Sequence, residues 1–190
     1  MKFSCLFIFI LSFSQTIPKN SKKQENFIEG HRFKSVYCKA DNISMSVKYC
    51  YIKAYSRIVA TLNFGAKILK PLRKPFFVKL ILYYRYGTIA RPIIETKEEE
   101  WCSAMNGGNY HLYLKMLVDQ LKGTASNLFR KCPYDSDIDV KNVTIDFNKA
   151  LAVFNAGIYR CDIIVIKDQN PIMIVNTTAE IKSQIKYSFG

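Results

Sequence analysis

The stretch IVATLNFGAKIL, which runs from Ile58 to Leu69, alternates apolar and polar side chains over most of its length. Its apolar residues fall on every second position, and they are Ile58, Ala60, Leu62, Phe64, Ala66 and Ile68. Thr61, Asn63 and Lys67 lie between them. A period of two is produced by a β-strand that buries one face and exposes the other. The stretch therefore predicts a half-buried antiparallel strand.

The same period recurs along the chain in three further segments, which are NISMSVKYCY (42–51), VKLILYYR (78–85) and DVKNVTIDF (139–147). The first of them places its apolar set on one face, namely Ile43, Met45, Val47, Tyr49 and Tyr51. GIYRCDIIVIK (157–167) is apolar on both faces, and a DQNP turn leads from it into PIMIVNTTAEI. This arrangement predicts a C-terminal hairpin. The pattern as a whole predicts an antiparallel β-protein.

One segment departs from this period. HLYLKMLVDQLKG carries Leu114, Leu117, Val118 and Leu121 at helical spacing, which predicts a helix at about 111–122. Several strands with one helix inserted among them are typical of a sandwich of two sheets.

The N-terminus has the three parts of a secretory signal peptide. MKFSCLFIFILSFSQ begins with Lys2, continues with an apolar run and ends on Ser12 and Ser14. This order predicts a signal peptide over 1–14 with cleavage after Ser14, and a buried N-terminal strand is the alternative interpretation. A polar lead-in (15–32) then precedes a single domain (33–190).

The chain of 190 residues is 49% hydrophobic and 14% aromatic, which is typical of a packed globular domain. Its formal net charge is +13. A positive surface attracts anionic lipid, acidic glycans or nucleic acid, and a secreted protein has the least access to nucleic acid. Solubility alone is the other explanation of the charge. The partners we expect are an anionic membrane surface or a cell-surface receptor, and no nucleic acid.

Five of the six cysteines remain once Cys5 leaves with the predicted signal peptide. Cysteines in an oxidising compartment usually form disulfides. We expect the bonds Cys38–Cys50 and Cys102–Cys132, each of which would stabilise the fold by ~3 to 4 kcal/mol in the chain-entropy account. The sequence alone leaves the connectivity open. Cys161 has no partner in this scheme. The alternatives are a buried free thiol, a covalent dimer and a different pairing of the cysteines.

Three N-glycosylation sequons occur along the chain, at Asn42-Ile-Ser44, Asn142-Val-Thr144 and Asn176-Thr-Thr178. The alternation places Asn42 and Asn142 on the polar faces of their strands, and Asn176 opposite its apolar neighbours. Glycosylation requires surface exposure in a secreted protein. The sequons and the alternation therefore both predict a secreted glycoprotein.

The sequence offers little for catalysis or for metal binding. It has no GxSxG, HExxH, Walker loop or GxGxxG motif. His111 is a candidate general base, but its position before the predicted helix favours a capping role. The aspartates from Asp135 to Asp139 resemble half of a calcium loop, although Val140 and Asp146 replace the glycine and glutamate that such a loop needs. A solvated turn is the favoured interpretation. We expect no enzyme, no metal and no cofactor.

An ordered set of short motifs extends along the chain. It consists of CX11C followed by K-x3-R (Cys38, Cys50, Lys53, Arg57), Arg91-Pro92, Trp101-Cys102, Ser126-Asn127, Cys132-Pro133-Tyr134 and Gly157-Ile158-Tyr159. From about Phe33 onward the chain resembles a large family of secreted insect proteins of unknown function that is related to the ML lipid-recognition superfamily. The resemblance implies an immunoglobulin-like β-sandwich that holds a lipid between its sheets. Some relatives are associated with contact chemosensation. Cys161 departs from the four-cysteine pattern.

The expected fold is therefore all-β, an immunoglobulin-like antiparallel β-sandwich with one inserted helix at about 111–122. The expected function is that of a secreted, non-enzymatic protein that binds a lipid or hydrophobic small molecule, including a chemosensory ligand. A packed sandwich that acts as an extracellular interaction or co-receptor module is the alternative. The pocket candidates share an inward-facing position, and they are Leu62, Phe64, Val78, Leu80, Leu82, Leu117, Leu121, Val143 and Ile145.

Overall fold

A computed structural model describes residues 31–56, 59–122, 125–144 and 155–182 of the chain. The predicted signal peptide, most of the polar lead-in and the pocket candidate Ile145 lie outside these residues. The strands within them are β1 (His31–Ala40), β2 (Met45–Ala54), β3 (Ala60–Ile68), β4 (Phe77–Tyr86), β5 (Ile89–Glu95), β6 (Glu99–Glu100), β7 (Ile138–Val143), β8 (Gly157–Lys167) and β9 (Asn170–Ile181). The helices are α1 (Trp101–Met105) and α2 (Leu112–Leu121).

The described strands form two antiparallel sheets. The large sheet has the order β1-β9-β8-β4-β5, with β6 added to β4, and the small sheet has the order β2-β3-β7. Apolar side chains from both sheets form a shared core. The predicted all-β sandwich is confirmed, and α2 is the predicted inserted helix. The predicted C-terminal hairpin is also confirmed, since β8 pairs with β9.

A β-bulge in β2 changes the predicted direction of two tyrosines. The pairing of β2 with β3 shifts register between Val47 and Tyr49. An extra residue in a strand moves every later side chain to the other face. Tyr49 therefore lies on the outer face, where its hydroxyl donates to the Asp139 carboxylate over 2.8 Å, and Tyr51 is exposed. The prediction that Tyr49 and Tyr51 face the interior is wrong.

Three strands, β1, β5 and the two-residue β6, and one short helix, α1, have no counterpart in the sequence-based prediction. Strand β1 begins at His31, inside the predicted lead-in, and a register shift between Phe33 and Ser35 disturbs its alternation. Strand β5 is an edge strand with almost no buried residue, so no apolar face marks it. Helix α1 begins after Glu100, whose carboxylate accepts hydrogen bonds from the first backbone N–H groups of that helix.

The two ends of the sandwich differ. At the closed end, where β8 turns into β9, the Trp101 indole donates to the Tyr134 hydroxyl over 2.8 Å, and that hydroxyl donates to the carbonyl of Leu128. Both aromatic residues belong to the main core cluster. At the open end, where β4 turns into β5, a smaller cluster lies between the sheets, and it consists of Phe33, Ala60, Tyr159, Ala179 and Ile181.

Two disulfides tie the sandwich together. Cys38 of β1 bonds to Cys50 of β2 and so joins the two sheets, with the Cα atoms 6.1 Å apart. Cys102 of α1 bonds to Cys132, with the Cα atoms 5.7 Å apart, and closes a loop that contains α2. Both predicted pairings are confirmed. Cys161 of β8 is a free, half-buried thiol.

Candidate ligand-binding site

The predicted pocket residues divide into two groups by their exposure. Three of them are fully buried in the main core, namely Val78, Leu80 and Val143. Five others pack against the same core but remain half-buried, namely Leu62, Phe64, Leu82, Leu117 and Leu121. The first group belongs to a packed interior. The second group retains surface that a ligand could cover.

The half-buried group leaves part of its apolar surface uncovered by protein. Protein interiors are close-packed, so an inward apolar side chain is normally enclosed on all sides. Leu62 and Leu82 lie where the main cluster meets the smaller cluster at the open end. Cys161, which pairs in register with Leu82, is also half-buried, yet burial raises the pKa of its thiol to about 12.

A concavity of about 410 Å³ lies at the open end of the sandwich. We call it the tyrosine mouth, and its lining residues are Tyr84, Tyr86, Ile93, Ile94, Tyr113, Asn155 and Tyr159. Sites for small molecules commonly enclose roughly 300–1,000 Å³ and are lined mainly by apolar and aromatic groups. The tyrosine mouth has this size, and four of its seven lining residues are tyrosines, but its exposed lining is more polar than apolar.

Edge-to-face packing fixes the rings of the tyrosine mouth. The Tyr84 ring centroid lies 4.6 Å from that of Tyr86 and 5.0 Å from that of Tyr159. The Tyr84 hydroxyl donates to the carbonyl of Ala156 over 3.2 Å, and the Tyr159 hydroxyl donates to the carbonyl of Asn155 over 2.8 Å. Burial raises the pKa of Tyr159. The Tyr159 phenol is therefore neutral near pH 7, and the rings of Tyr84 and Tyr159 supply apolar surface to the mouth.

Helix α2 positions Tyr113, which lines the tyrosine mouth. The Nδ1 atom of His111 accepts a hydrogen bond from the backbone N–H of Tyr113 over 3.4 Å, and the two rings stack with centroids 5.5 Å apart. Leu114 and Val118 are buried in the main core and anchor the helix. His111 therefore caps α2, as its sequence position favoured, and this use of Nδ1 gives no support to a role as a general base.

Arg91 supplies a positive charge beside the tyrosine mouth. It pairs in register with Tyr84, and directly opposite residues of antiparallel strands project from the same face. Its side chain is exposed, and it forms no ion pair within the described part of the chain. Arg91 thus places an exposed positive charge on β5 directly opposite Tyr84.

The tyrosine mouth was not among the sites predicted from the sequence. Tyr84 continues the predicted inward face of Val78, Leu80 and Leu82, so the alternation did contain a signal for it. Ile93 and Ile94 lie on the edge strand β5, which no pattern marked. A site built from separate strands and one helix has no local sequence signature.

The three sequon asparagines differ in exposure. Asn42 and Asn142 are exposed and adopt positive φ angles of 58° and 54°. The Asn142 side chain accepts a hydrogen bond from the Tyr55 hydroxyl over 3.0 Å. Asn176 is half-buried in β9, between β1 and β8. Asn42 and Asn142 are therefore the more accessible acceptors for a glycan.

The acidic residues before and within β7 are bound by side chains of β2, across the intervening strand β3. The Lys48 ammonium lies 3.1 Å from a carboxylate oxygen of Asp137 and 3.6 Å from one of Asp139. The Tyr49 hydroxyl is the third partner in this group. Within the described ranges, no cluster of His, Cys, Asp or Glu has the geometry of a metal site.

Comparison with known proteins adds no relative. No protein-family model matches the chain, and no curated protein matches it. The resemblance to the ML-related insect proteins therefore rests on the order of the motifs alone. As for membrane spans, none of the helices in the described ranges is long and apolar enough to cross a bilayer.

Proposed function

We propose that this chain is a secreted, non-enzymatic binding protein that holds a lipid or hydrophobic small molecule between its two sheets. Access would be through the tyrosine mouth at the open end. The main support is the partial exposure of inward apolar side chains, Leu62 and Leu82 above all, next to a concavity of about 410 Å³. Binding of an apolar ligand removes apolar surface of this kind from water, and this lowers the free energy of the complex.

The volume of the mouth suits a ligand with one chain or a small ring system. At ~30 Å³ for each water-sized group, the mouth has room for about fourteen such groups. Each buried methylene contributes ~0.8 kcal/mol of transfer free energy, from which the entropic cost of association must be subtracted. A chemosensory ligand of moderate size or a single acyl chain would fit, and Arg91 would face an anionic or polar head group.

Secretion is part of the proposal. The two disulfides are of the kind that persists in oxidising compartments. The N-terminal sequence has the pattern of a signal peptide, and Asn42 and Asn142 are exposed sequon asparagines. These features agree with an extracellular glycoprotein, which would meet its ligand outside the cell.

The test is native mass spectrometry of the protein secreted by a eukaryotic host, followed by extraction with organic solvent. We expect a small molecule that co-purifies and is released by solvent, or uptake of an added fatty acid in a one-to-one complex. A protein that arrives empty and takes up no fatty acid would contradict the proposal and favour a packed interaction module. The same spectra report glycans and any covalent dimer through Cys161.

A further inference from the structure

The hairpin tip at the open end carries exposed apolar side chains. Strands β4 and β5 turn through Gly87, which adopts a φ of 60° that suits glycine. Tyr86 before the turn is 56% exposed, and Ile89 after it is 57% exposed. Single exposed apolar residues are common on proteins, but an aromatic and an aliphatic residue at one projecting tip form a patch that marks an interaction site.

A second concavity, of about 210 Å³, lies on the outer face of the large sheet beside this tip. Its polar lining consists of Tyr83, Arg85, Thr88, Arg160 and Thr178. Each of these side chains can donate hydrogen bonds, and none of them is acidic. We call this concavity the arginine basin.

Neighbouring groups hold both arginines in place. The Nε atom of Arg85 donates to the carbonyl of Gly87 over 2.9 Å. The Arg160 guanidinium lies over the Tyr83 ring at 4.0 Å, and its Nε atom lies 3.1 Å from a carboxylate oxygen of Asp162. In the described residues the terminal nitrogens of these two arginines make no hydrogen bond. These nitrogens are the donors that remain for a ligand.

The nearby carboxylates leave part of this charge uncompensated. Asp162 is buried and offsets the charge of Arg160, whereas Arg85 forms no ion pair with any of the described residues. Glu180, which pairs in register with Ile158 of the basin wall, forms an ion pair with Lys34 at 2.5 Å. Two guanidinium groups with hydroxyl donors around them are the arrangement that binds phosphate oxygens. The arginine basin thus fits a phosphate group.

We propose that the open end docks on a membrane of anionic phospholipid. Arg85 and Arg160 bind a lipid phosphate, while Tyr86 and Ile89 enter the head-group region. Tyrosine and aliphatic residues at a tip favour the membrane interface, and basic residues favour anionic lipid. The net charge of +13 adds long-range attraction. Docking in this orientation brings the tyrosine mouth to the membrane, but it does not depend on whether the cavity holds a ligand.

The test is flotation of the protein with vesicles of phosphatidylcholine, with and without phosphatidylserine. Two matched pairs of variants separate the tip from general charge and general hydrophobicity. Arg85→Gln is compared with Arg73→Gln, which removes an exposed arginine at the closed end. Ile89→Ser is compared with Ile43→Ser, because Ile43 is 63% exposed in the turn between β1 and β2, also at the closed end.

We expect binding only to the vesicles that contain phosphatidylserine. Arg85→Gln should weaken it about fivefold, the effect of one basic residue at an anionic membrane surface. Ile89→Ser should weaken it several-fold, while both closed-end variants bind like the parent protein. Equal losses within either pair would overturn the proposal. The proposal would also be overturned if the protein bound a sulfated polysaccharide through Arg85 but did not bind the vesicles. The arginine basin would then be a glycan site. Unfolding curves confirm that all four variants are folded.

Discussion

Cys161 lies on the inner face of β8, where burial and the Asp162 charge raise the pKa of its thiol to about 12. In the unfolded chain the pKa of a cysteine is about 8.5. Between these values the unfolded state releases a proton that the folded state keeps, so the folded state loses stability as the pH rises. We expect wild type to lose about 2 kcal/mol more stability than Cys161→Ala between pH 8 and pH 10.

Urea unfolding of the two proteins at both pH values gives this difference directly. The other titrating groups are common to wild type and variant, so their contributions cancel in the comparison. An equal loss of stability in both proteins would mean that the Cys161 thiol contacts water freely. The proposed cavity would then be open to solvent at this residue.

The Tyr49 ring covers Gly65 and leaves no room for a larger side chain at this position. A Cβ atom on Gly65 would lie 2.4 Å from the Tyr49 ring, which itself is held by the hydrogen bond to Asp139. Gly65→Ala must therefore push the ring away, and we expect a loss of ~1 to 3 kcal/mol in the free energy of unfolding. In a Tyr49→Ala background the same change should cost much less. Additive losses in this double-mutant cycle would show that another contact, and not the ring, excludes the side chain.

At the scale of single residues, alternation predicted which way the side chains of β4 point but not what surrounds them. Val78, Leu80 and Leu82 share one face of this strand, yet only Leu82 retains exposed surface. The difference depends on how closely the facing elements approach at each position. That distance is a property of the assembled sandwich, so the sequence of one strand does not contain it.

At the scale of elements, the disulfides fix the edges of the sandwich. Cys102–Cys132 closes a loop of 30 residues and Cys38–Cys50 a loop of 12. Loop-closure entropy predicts that removal of the longer bridge costs ~3.6 kcal/mol and removal of the shorter one ~2.8 kcal/mol. We expect Cys102→Ala/Cys132→Ala to lower the unfolding free energy more than Cys38→Ala/Cys50→Ala, as measured in urea. The reverse order would show that the bridge between the sheets does more than shorten a loop.

The elements that the sequence failed to predict have irregular pairing or little burial. One β-bulge shifts the register of β2 after Val47. A second one, in β7, places Asn142 beside Asn63 of β3, and the Asn63 amide oxygen accepts a hydrogen bond from the backbone N–H of Asn142. A bulge breaks the period of two without any distinctive composition. The long strands β3, β4, β8 and β9 direct mostly apolar side chains to the interior, and their alternation or apolar content predicted them well.

At the scale of the whole molecule, the two ends of the sandwich differ in the side chains that the described residues place there. Trp101, Tyr134 and the Cys102–Cys132 bond fill the closed end. Tyr84, Tyr113 and Tyr159 meet at the open end from three separate elements. The candidate site could not be predicted from sequence because its members are close only after the sheets and α2 assemble. The apolar interior behind it could be predicted from periodicity alone.

This asymmetry predicts how the interior tolerates added volume. Val78 lies in the packed core, so Val78→Trp should lower the free energy of unfolding by ~1 to 3 kcal/mol. Leu82→Trp should cost less, because Leu82 borders the proposed space between the sheets. Thermal or urea unfolding of the two variants gives the comparison. Equal destabilisation would indicate that the region around Leu82 is as full as the core.

The most direct test of the binding proposal is titration of a fluorescent fatty acid into wild type, Leu82→Trp and Ile81→Trp. Leu82 faces the interior and the adjacent Ile81 faces outward, so the two variants add the same ring to opposite faces of β4. We expect saturable one-to-one binding by wild type and Ile81→Trp, and its loss in a folded Leu82→Trp. Absence of binding by wild type, or equal binding by both variants, would contradict a ligand site between the sheets.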